Sequence, residues 1–76
     1  MNKKRRKELE KISGELIDLK DRLETVKDEE EEAFDNIPES LQDTERYTES
    51  EEALEYMEYA VDNLEEAIDN LSNIVG

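Results

Sequence analysis

The chain has 76 residues, enough for one small domain, and only 34% of them are hydrophobic. It carries 24 acidic and 10 basic side chains, a formal net charge of −14, and contains neither Cys nor His. These absences exclude disulfides, thiolate metal sites and His-based catalysis. Because so short a chain has a marginal core, we expect it to be stabilised by a second copy or a partner.

The start of the chain is basic, with five successive cations at Lys3–Lys7. Glu8-Leu9-Glu10 follows, where a signal peptide would have an apolar region, and no apolar run is long enough to cross a membrane. We therefore expect a cytoplasmic protein. The basic run could contact nucleic acid, a membrane or an acidic partner. We favour a solubilising end or a clamp on the chain's own acidic surface, because residues 28–76 carry a net charge of −17.

A first helix is predicted over about residues 3–35, with Asn2 as its N-cap. Apolar residues in this segment alternate at spacings of three and four, the heptad pattern of a helix-packing seam. The predicted seam of the first helix consists of Leu9, Ile12, Leu16, Leu19, Leu23 and Val26. The same frame continues to Glu30, a charged interruption that either ends the seam or sets its register.

A connection is predicted at residues 36–48, where Pro38 cannot continue a helix but can begin a short helical turn. We expect Leu41 to close the end of the hairpin. A second helix is predicted over about residues 49–75, because Thr48 to Glu51 match a capping box and Gly76 follows the last apolar residue. Its predicted seam consists of Leu54, Met57, Val61, Leu64, Ile68 and Leu71.

Together these elements predict an all-α fold, an antiparallel two-helix coiled-coil hairpin forming one domain over residues 1–76. Ala53, Ala60 and Ala67 each precede a seam residue and widen the apolar stripe of the second helix to three positions in seven. One neighbouring helix cannot cover a stripe of this width. We therefore expect a homodimer in which two hairpins form a four-helix bundle.

The residue inventory argues against catalysis and against any cofactor. No Gly-rich phosphate loop is present, and carboxylate pairs arise by chance in a helix-rich acidic chain. The acidic run Asp28–Glu32 lacks the alternating spacing and the Gly of an EF-hand loop, so we interpret it as a solvated helix face rather than a metal site. We predict a protein that is not an enzyme.

Tyr56 and Tyr59 lie three residues apart on the predicted second helix, away from its seam. Exposed aromatic side chains among carboxylates are typical of a contact site for an Arg- or Lys-rich protein surface. A second packing face in a dimer or bundle explains the pair equally well. The predicted partner-binding face consists of Glu52, Glu55, Tyr56, Tyr59, Asp62, Asn63 and Glu66.

The segment 33–42, with the sequence AFDNIPESLQ, and the acidic heptads after it resemble uncharacterised small acidic helical-hairpin proteins of phages and mobile elements of Gram-positive bacteria. The resemblance covers about 60% of the chain and implies a bacterial host and no agreed activity. Several acidic phage proteins of other folds mimic DNA to block host enzymes, which is an analogy of class only.

On these grounds we predict a non-catalytic module that binds a basic protein surface, and neither nucleic acid directly nor a membrane. Within that class we favour a DNA-mimic inhibitor of a nucleic-acid-binding or defence protein. The alternatives are a structural or assembly adaptor that acts through its coiled-coil seam, and an antitoxin-like cap on a basic protein.

Overall fold

A computed structural model describes residues 1–75, which form two long helices and one short turn of 3-10 helix. Helix α1 spans Lys3–Asp35, the 3-10 turn spans Glu39–Leu41, and α2 spans Glu45–Val75. The helices run antiparallel along each other, and the Cα atoms fill a rod of 60 × 14 × 14 Å. The predicted all-α hairpin is therefore confirmed. Gly76, the expected helix stop, lies outside the described residues.

Side-chain oxygens cap the start of both helices. The Asn2 Oδ1 atom accepts a hydrogen bond of 2.8 Å from the backbone N–H of Arg5, as predicted. At α2, the Thr44 Oγ1 atom accepts from the backbone N–H of Tyr47 at 3.3 Å. The helix therefore begins four residues before the predicted start at about 49, and the capping box at Thr48 is wrong. Thr44 has the same hydroxyl group as Thr48 and caps the helix four residues earlier, and residues 45–47 include no glycine or proline that would break the helix.

The connected end of the hairpin is held by an aromatic pair. The ring of Phe34, at the end of α1, stacks on Tyr47, in the first turn of α2, with centroids 4.6 Å apart and planes 26° apart. Leu41 is 50% exposed, so the expectation that it closes this end is wrong. The aromatic rings fill the space between the helices before the chain reaches the 3-10 turn.

On α2 the six predicted seam residues lie along one line against α1. Val61 is 7% exposed and is the one buried side chain among residues 1–75, while the other five are half-buried. Ala53, Ala60 and Ala67 beside the seam are also half-buried. The line extends toward the turn through Tyr47 and Ser50. The core of this hairpin is thus a narrow strip, and most of its apolar side chains stay in partial contact with solvent.

On α1 only half of the predicted seam faces α2. Leu9, Leu16 and Leu23 are half-buried. The residues four positions after these leucines, Ser13, Lys20 and Lys27, are also half-buried, as is Phe34, four positions after Glu30. Ile12, Leu19 and Val26 are 37, 48 and 50% exposed, so the prediction that they belong to this seam is wrong.

The error has a simple physical origin. At 3.6 residues per turn, the third and the fourth residue after each leucine are both its neighbours on the helix surface. Hydrophobicity alone predicts the more apolar of these two rows as the seam. In the hairpin, the Phe34–Tyr47 stack and an ion pair between Lys20 and Glu65 lie on the other row. The row of α1 that contains Ser13, Lys20 and Lys27 therefore faces α2. The row that contains Ile12, Leu19 and Val26 lies beside the seam.

Candidate interaction surface

The predicted partner-binding face lies on the outer side of α2, turned away from α1. All seven residues of this outer face are exposed, and one helix holds them at fixed spacing over four turns. Four of them carry carboxylates, at Glu52, Glu55, Asp62 and Glu66. None of the seven is basic, so the face presents uncompensated negative charge around its two tyrosines.

The two tyrosines form an ordered pair on this face. Their ring centroids lie 6.3 Å apart at an interplanar angle of 75°, an edge-to-face arrangement. Tyr56 is 71% exposed and Tyr59 is 52% exposed. The two rings are already restricted by their mutual contact and by the helix that carries them. They therefore lose less conformational entropy when a partner binds.

A hydrogen bond fixes Tyr59 to a carboxylate of the same face. Its hydroxyl donates to the Glu55 Oε1 atom at 2.8 Å, one helical turn away. This hydrogen bond, together with the negative charges of Glu55 and Glu58, raises the pKa of Tyr59 above its ordinary value. At neutral pH Tyr59 therefore remains an uncharged donor, and Glu55 is oriented along the helix surface.

A second charged surface runs along one side of the hairpin where the two helices meet. We call it the acidic flank, and its carboxylates are Glu24, Glu31, Glu51, Glu58 and Glu65. Near the turn, Glu31 of α1 lines a groove of about 320 Å³ with Glu51, Glu55 and Glu58 of α2, with Lys27 between the helices. Glu55 thereby links the acidic flank to the outer face of α2.

Lys20 is the ionic link between the helices on this flank. Its Nζ atom lies 3.0 Å from Glu65 Oε1 on α2 and 3.5 Å from Glu24 Oε1 on α1. The hydrogen bond to Glu65, and then the charges of Glu24 and Glu65, raise the pKa of Lys20, although partial desolvation opposes this. Sequence reasoning missed Lys20 and Lys27. Both lysines could have been found from the sequence, because Ser13, Lys20, Lys27 and Phe34 follow one another at intervals of seven residues and therefore lie in one row of the helix.

Glu30, the charged interruption of the predicted seam, is half-buried at the turn end of α1. It lines a groove of about 520 Å³ together with the stacked aromatic rings, Leu41 and Arg46. Arg46 is the single basic residue in residues 28–76. The groove is mainly apolar, with one residue of each charge at its edge.

The side of the hairpin opposite the acidic flank is uncharged for most of its length. We call it the apolar flank: it consists of Ile12, Leu19, Val26 and Ala33 on α1 and Ala53, Ala60, Ala67 and Ile74 on α2. Each residue directly precedes a seam position of its helix, and in an antiparallel pair these two rows fall on the same side. Two grooves lined by both helices support this assignment of sides. Ala33 of α1 lines one groove with Arg46 of α2, which is in the same row as Ala53, and Ile17 of α1 lines another with Glu65 of the acidic flank.

The described residues form neither a metal site nor a membrane-spanning helix. Within residues 1–75, no three carboxylates converge on a point where they could hold a metal ion together. No helix in that range combines the length and the apolar character that a membrane crossing requires. Comparisons with protein-family models, with curated proteins and with solved structures find no match to this chain.

Proposed function

We propose that this protein is a non-catalytic binding module that captures a basic protein surface through the outer face of α2. The supporting observation is the exposed tyrosine pair, held in fixed geometry and surrounded by carboxylates without a cation on the same face. Charge attracts and orients a basic partner, and the aromatic rings supply desolvated contact area that charge alone lacks. The partner we favour is a nucleic-acid-binding or defence protein of a bacterial host, met in the cytoplasm in a phage or mobile-element context.

The charge density of the rod supports mimicry of DNA. A net charge of −14 along 60 Å corresponds to one negative charge for about every 4 Å, compared with one for about every 1.7 Å of duplex DNA. Carboxylates one helical turn apart on α2 are separated by about 5–6 Å. The outer face has two such pairs, Glu52 with Glu55 and Asp62 with Glu66. With the carboxylates of the acidic flank, they offer a DNA-binding protein negative charges where it binds phosphates.

Charge reversal on the outer face tests this function. The double variant Glu55→Lys with Glu66→Lys should abolish capture of the partner from host lysate and leave the helicity unchanged, because both side chains are exposed. The matched control is Asp18→Lys with Asp21→Lys, which makes the same change in net charge at exposed positions on α1. Retained binding in this control would show that the position of the charge matters, not its total.

The recovered partner is then examined directly. It should be basic and bind DNA, and its DNA binding should be inhibited by the wild-type protein in a manner that weakens steeply with added salt. Tyr56→Ala with Tyr59→Ala should lower the affinity by a factor that does not depend on salt. Wild-type affinity in the Glu55/Glu66 variant would contradict the proposal. Loss of binding only in seam variants such as Leu64→Ala would favour the assembly adaptor instead.

A further inference from the structure

The apolar flank has no partner within one chain, although it is the least charged surface of the rod. Leu19 and Val26 are about half exposed, and Ile12 and Ile74 are 37 and 43% exposed. The flank is bordered on α2 by the uncharged Tyr56, Asn63 and Asn70, and on α1 by the charged Glu15, Arg22 and Glu29. Rows of exposed apolar side chains of this length on a chain with a net charge of −14 indicate an interface rather than solvent exposure.

We propose that the apolar flank binds the apolar flank of a second copy of this chain, with the two hairpins antiparallel, to form a four-helix bundle. This inference rests on other observations than the partner proposed above, although Tyr56 and Asn63 border both surfaces. The carboxylates of the outer face of α2, at Glu52, Glu55, Asp62 and Glu66, point away from the flank and stay accessible on both copies.

The small core of one hairpin supports a second copy as the occupant. Val61 is the one buried side chain among residues 1–75, too little apolar burial to offset the conformational entropy of ordering two helices. The flank extends from Ile12 to Ala33, about 31 Å at the usual helical rise. Across two helices of about 10 Å each, it offers about 600 Å² per copy. A total of about 1,200 Å² reaches the range of stable, specific interfaces.

The shape of the flank favours pairing with itself. The small side chains Ala53, Ala60 and Ala67 allow the α2 helices of two copies to approach closely. The larger side chains Ile12, Leu19 and Val26 fill the wider space between the two α1 helices. A two-fold axis requires one surface to match itself, and rows that each pair with the same row satisfy this condition.

The charge distribution selects the antiparallel orientation. Residues 1–11, at the open end of the rod, carry six basic and two acidic side chains, a net of +4. Residues 28–52, at the turn end, carry one basic and twelve acidic side chains, a net of −11. Antiparallel hairpins place each basic end beside the acidic turn of the other copy, whereas parallel hairpins place the two acidic turns together.

A matched pair of variants tests the interface. Leu19→Gln alters the apolar flank, where the side chain is 48% exposed. Ile17→Gln makes the same kind of change on the opposite side, where the side chain is 44% exposed. By sedimentation equilibrium the wild type and Ile17→Gln should be dimers at tens of micromolar, and Leu19→Gln should raise the dimer dissociation constant by at least about tenfold.

A Leu19→Gln variant that unfolds while Ile17→Gln stays folded and dimeric also supports the proposal, since the fold then depends on the apolar flank. A monomeric wild type, or equal behaviour of the two variants, would overturn it.

A distance measurement tests the orientation. The chain has no Cys, so Glu32→Cys introduces a single thiol for a spin label at an exposed position outside the proposed interface. Glu32 lies 12 residues from Lys20, which is near the middle of the rod, so two labels in an antiparallel dimer are about 36 Å apart along the axis. A distance below about 25 Å would indicate parallel hairpins and overturn the proposed arrangement.

Discussion

The two helices have nearly equal lengths, 33 and 31 residues, but they contribute unequally to the seam between them. From Leu54 to Leu71, α2 presents an apolar side chain at every facing position. On α1, leucines alternate with Ser13, Lys20 and Lys27. The apolar residues missing from the α1 seam are found on its side, in the apolar flank. One helix therefore supplies most of the core of the hairpin, and the other divides its apolar residues between the core and a second surface.

Disruption of the α2 seam should have the largest effect on stability. Leu64→Asp places a carboxylate in the centre of the seam, where loss of the leucine alone costs about 2–5 kcal/mol and the charge adds to this. We expect loss of the helical circular dichroism signal. The matched variant Ile17→Asp makes the same change at an exposed position of α1 and should remain helical. Equal loss in both variants would show that the seam is placed incorrectly.

The inequality of the helices also decides what could be predicted from sequence. The seam of α2 was predictable because it has one apolar row, flanked only by alanines. On α1, two rows share Leu9, Leu16 and Leu23, and the fourth-residue row contains Ser13 and two lysines. Hydrophobicity alone prefers the wrong row. The choice depends on contacts with α2, namely the Phe34–Tyr47 stack and the Lys20–Glu65 ion pair, which periodicity within one helix does not contain.

The outer face was predictable in its residues but not in its detail. Positions opposite a clear seam must be exposed, so the placement of the seven residues followed from the register of α2. The hydrogen bond from Tyr59 to Glu55 depends on side-chain rotamers, and the acidic flank depends on the pairing of two helices. Neither could be derived from the order of residues along one helix.

Filling the polar row of α1 should reduce the inequality and stabilise the hairpin. Ser13 is half-buried between Leu9 and Leu16 in the seam, so Ser13→Leu should add about 1 kcal/mol through apolar burial and better helix propensity. Urea denaturation measures the change as an increased midpoint. Lys11→Leu, at an exposed position of the same helix, is the control and should have little effect. A lower midpoint for Ser13→Leu would mean that this row does not face α2.

A glycine is a second, smaller weakness of α1. Gly14 lies in the interior of the helix, and a Cβ atom added there meets nothing within 4 Å. Gly14→Ala should therefore stabilise the protein by about 0.5–1 kcal/mol, because alanine loses less backbone entropy in a helix. The melting temperature should increase, whereas Ser72→Ala, an exposed change near the end of α2, should alter it less. A decrease for Gly14→Ala would reveal an unrecognised contact at this position.

The smallest expected effect appears at alkaline pH, where the charged link between the helices and the tyrosine on α2 both titrate. The pKa of Lys20 is raised from 10.5, mainly by the hydrogen bond to Glu65, and that of Tyr59 is raised from 10.0, mainly by the hydrogen bond to Glu55. A group whose pKa is higher in the folded state stabilises the fold below its unfolded pKa, and this stabilisation is lost as the pH rises through the folded pKa. Lys20 is half-buried and Tyr59 is exposed, so solvent screens both interactions in part. The melting temperature should therefore be constant up to about pH 10 and decrease modestly above it.

Two variants separate the contributions of Lys20 and Tyr59. Lys20→Gln should remove the part of the alkaline decrease in melting temperature that comes from the Lys20–Glu65 ion pair. Tyr59→Phe should remove the part that comes from the hydrogen bond between Tyr59 and Glu55. Phenolate absorbance provides a direct check, because one of the three tyrosines should ionise at higher pH than it would in an unfolded peptide, and this delayed transition should be absent from Tyr59→Phe. A delayed transition that persists in Tyr59→Phe would show that the Glu55 contact does not control the titration. A melting temperature that increases above about pH 10 would contradict the predicted sign for both groups.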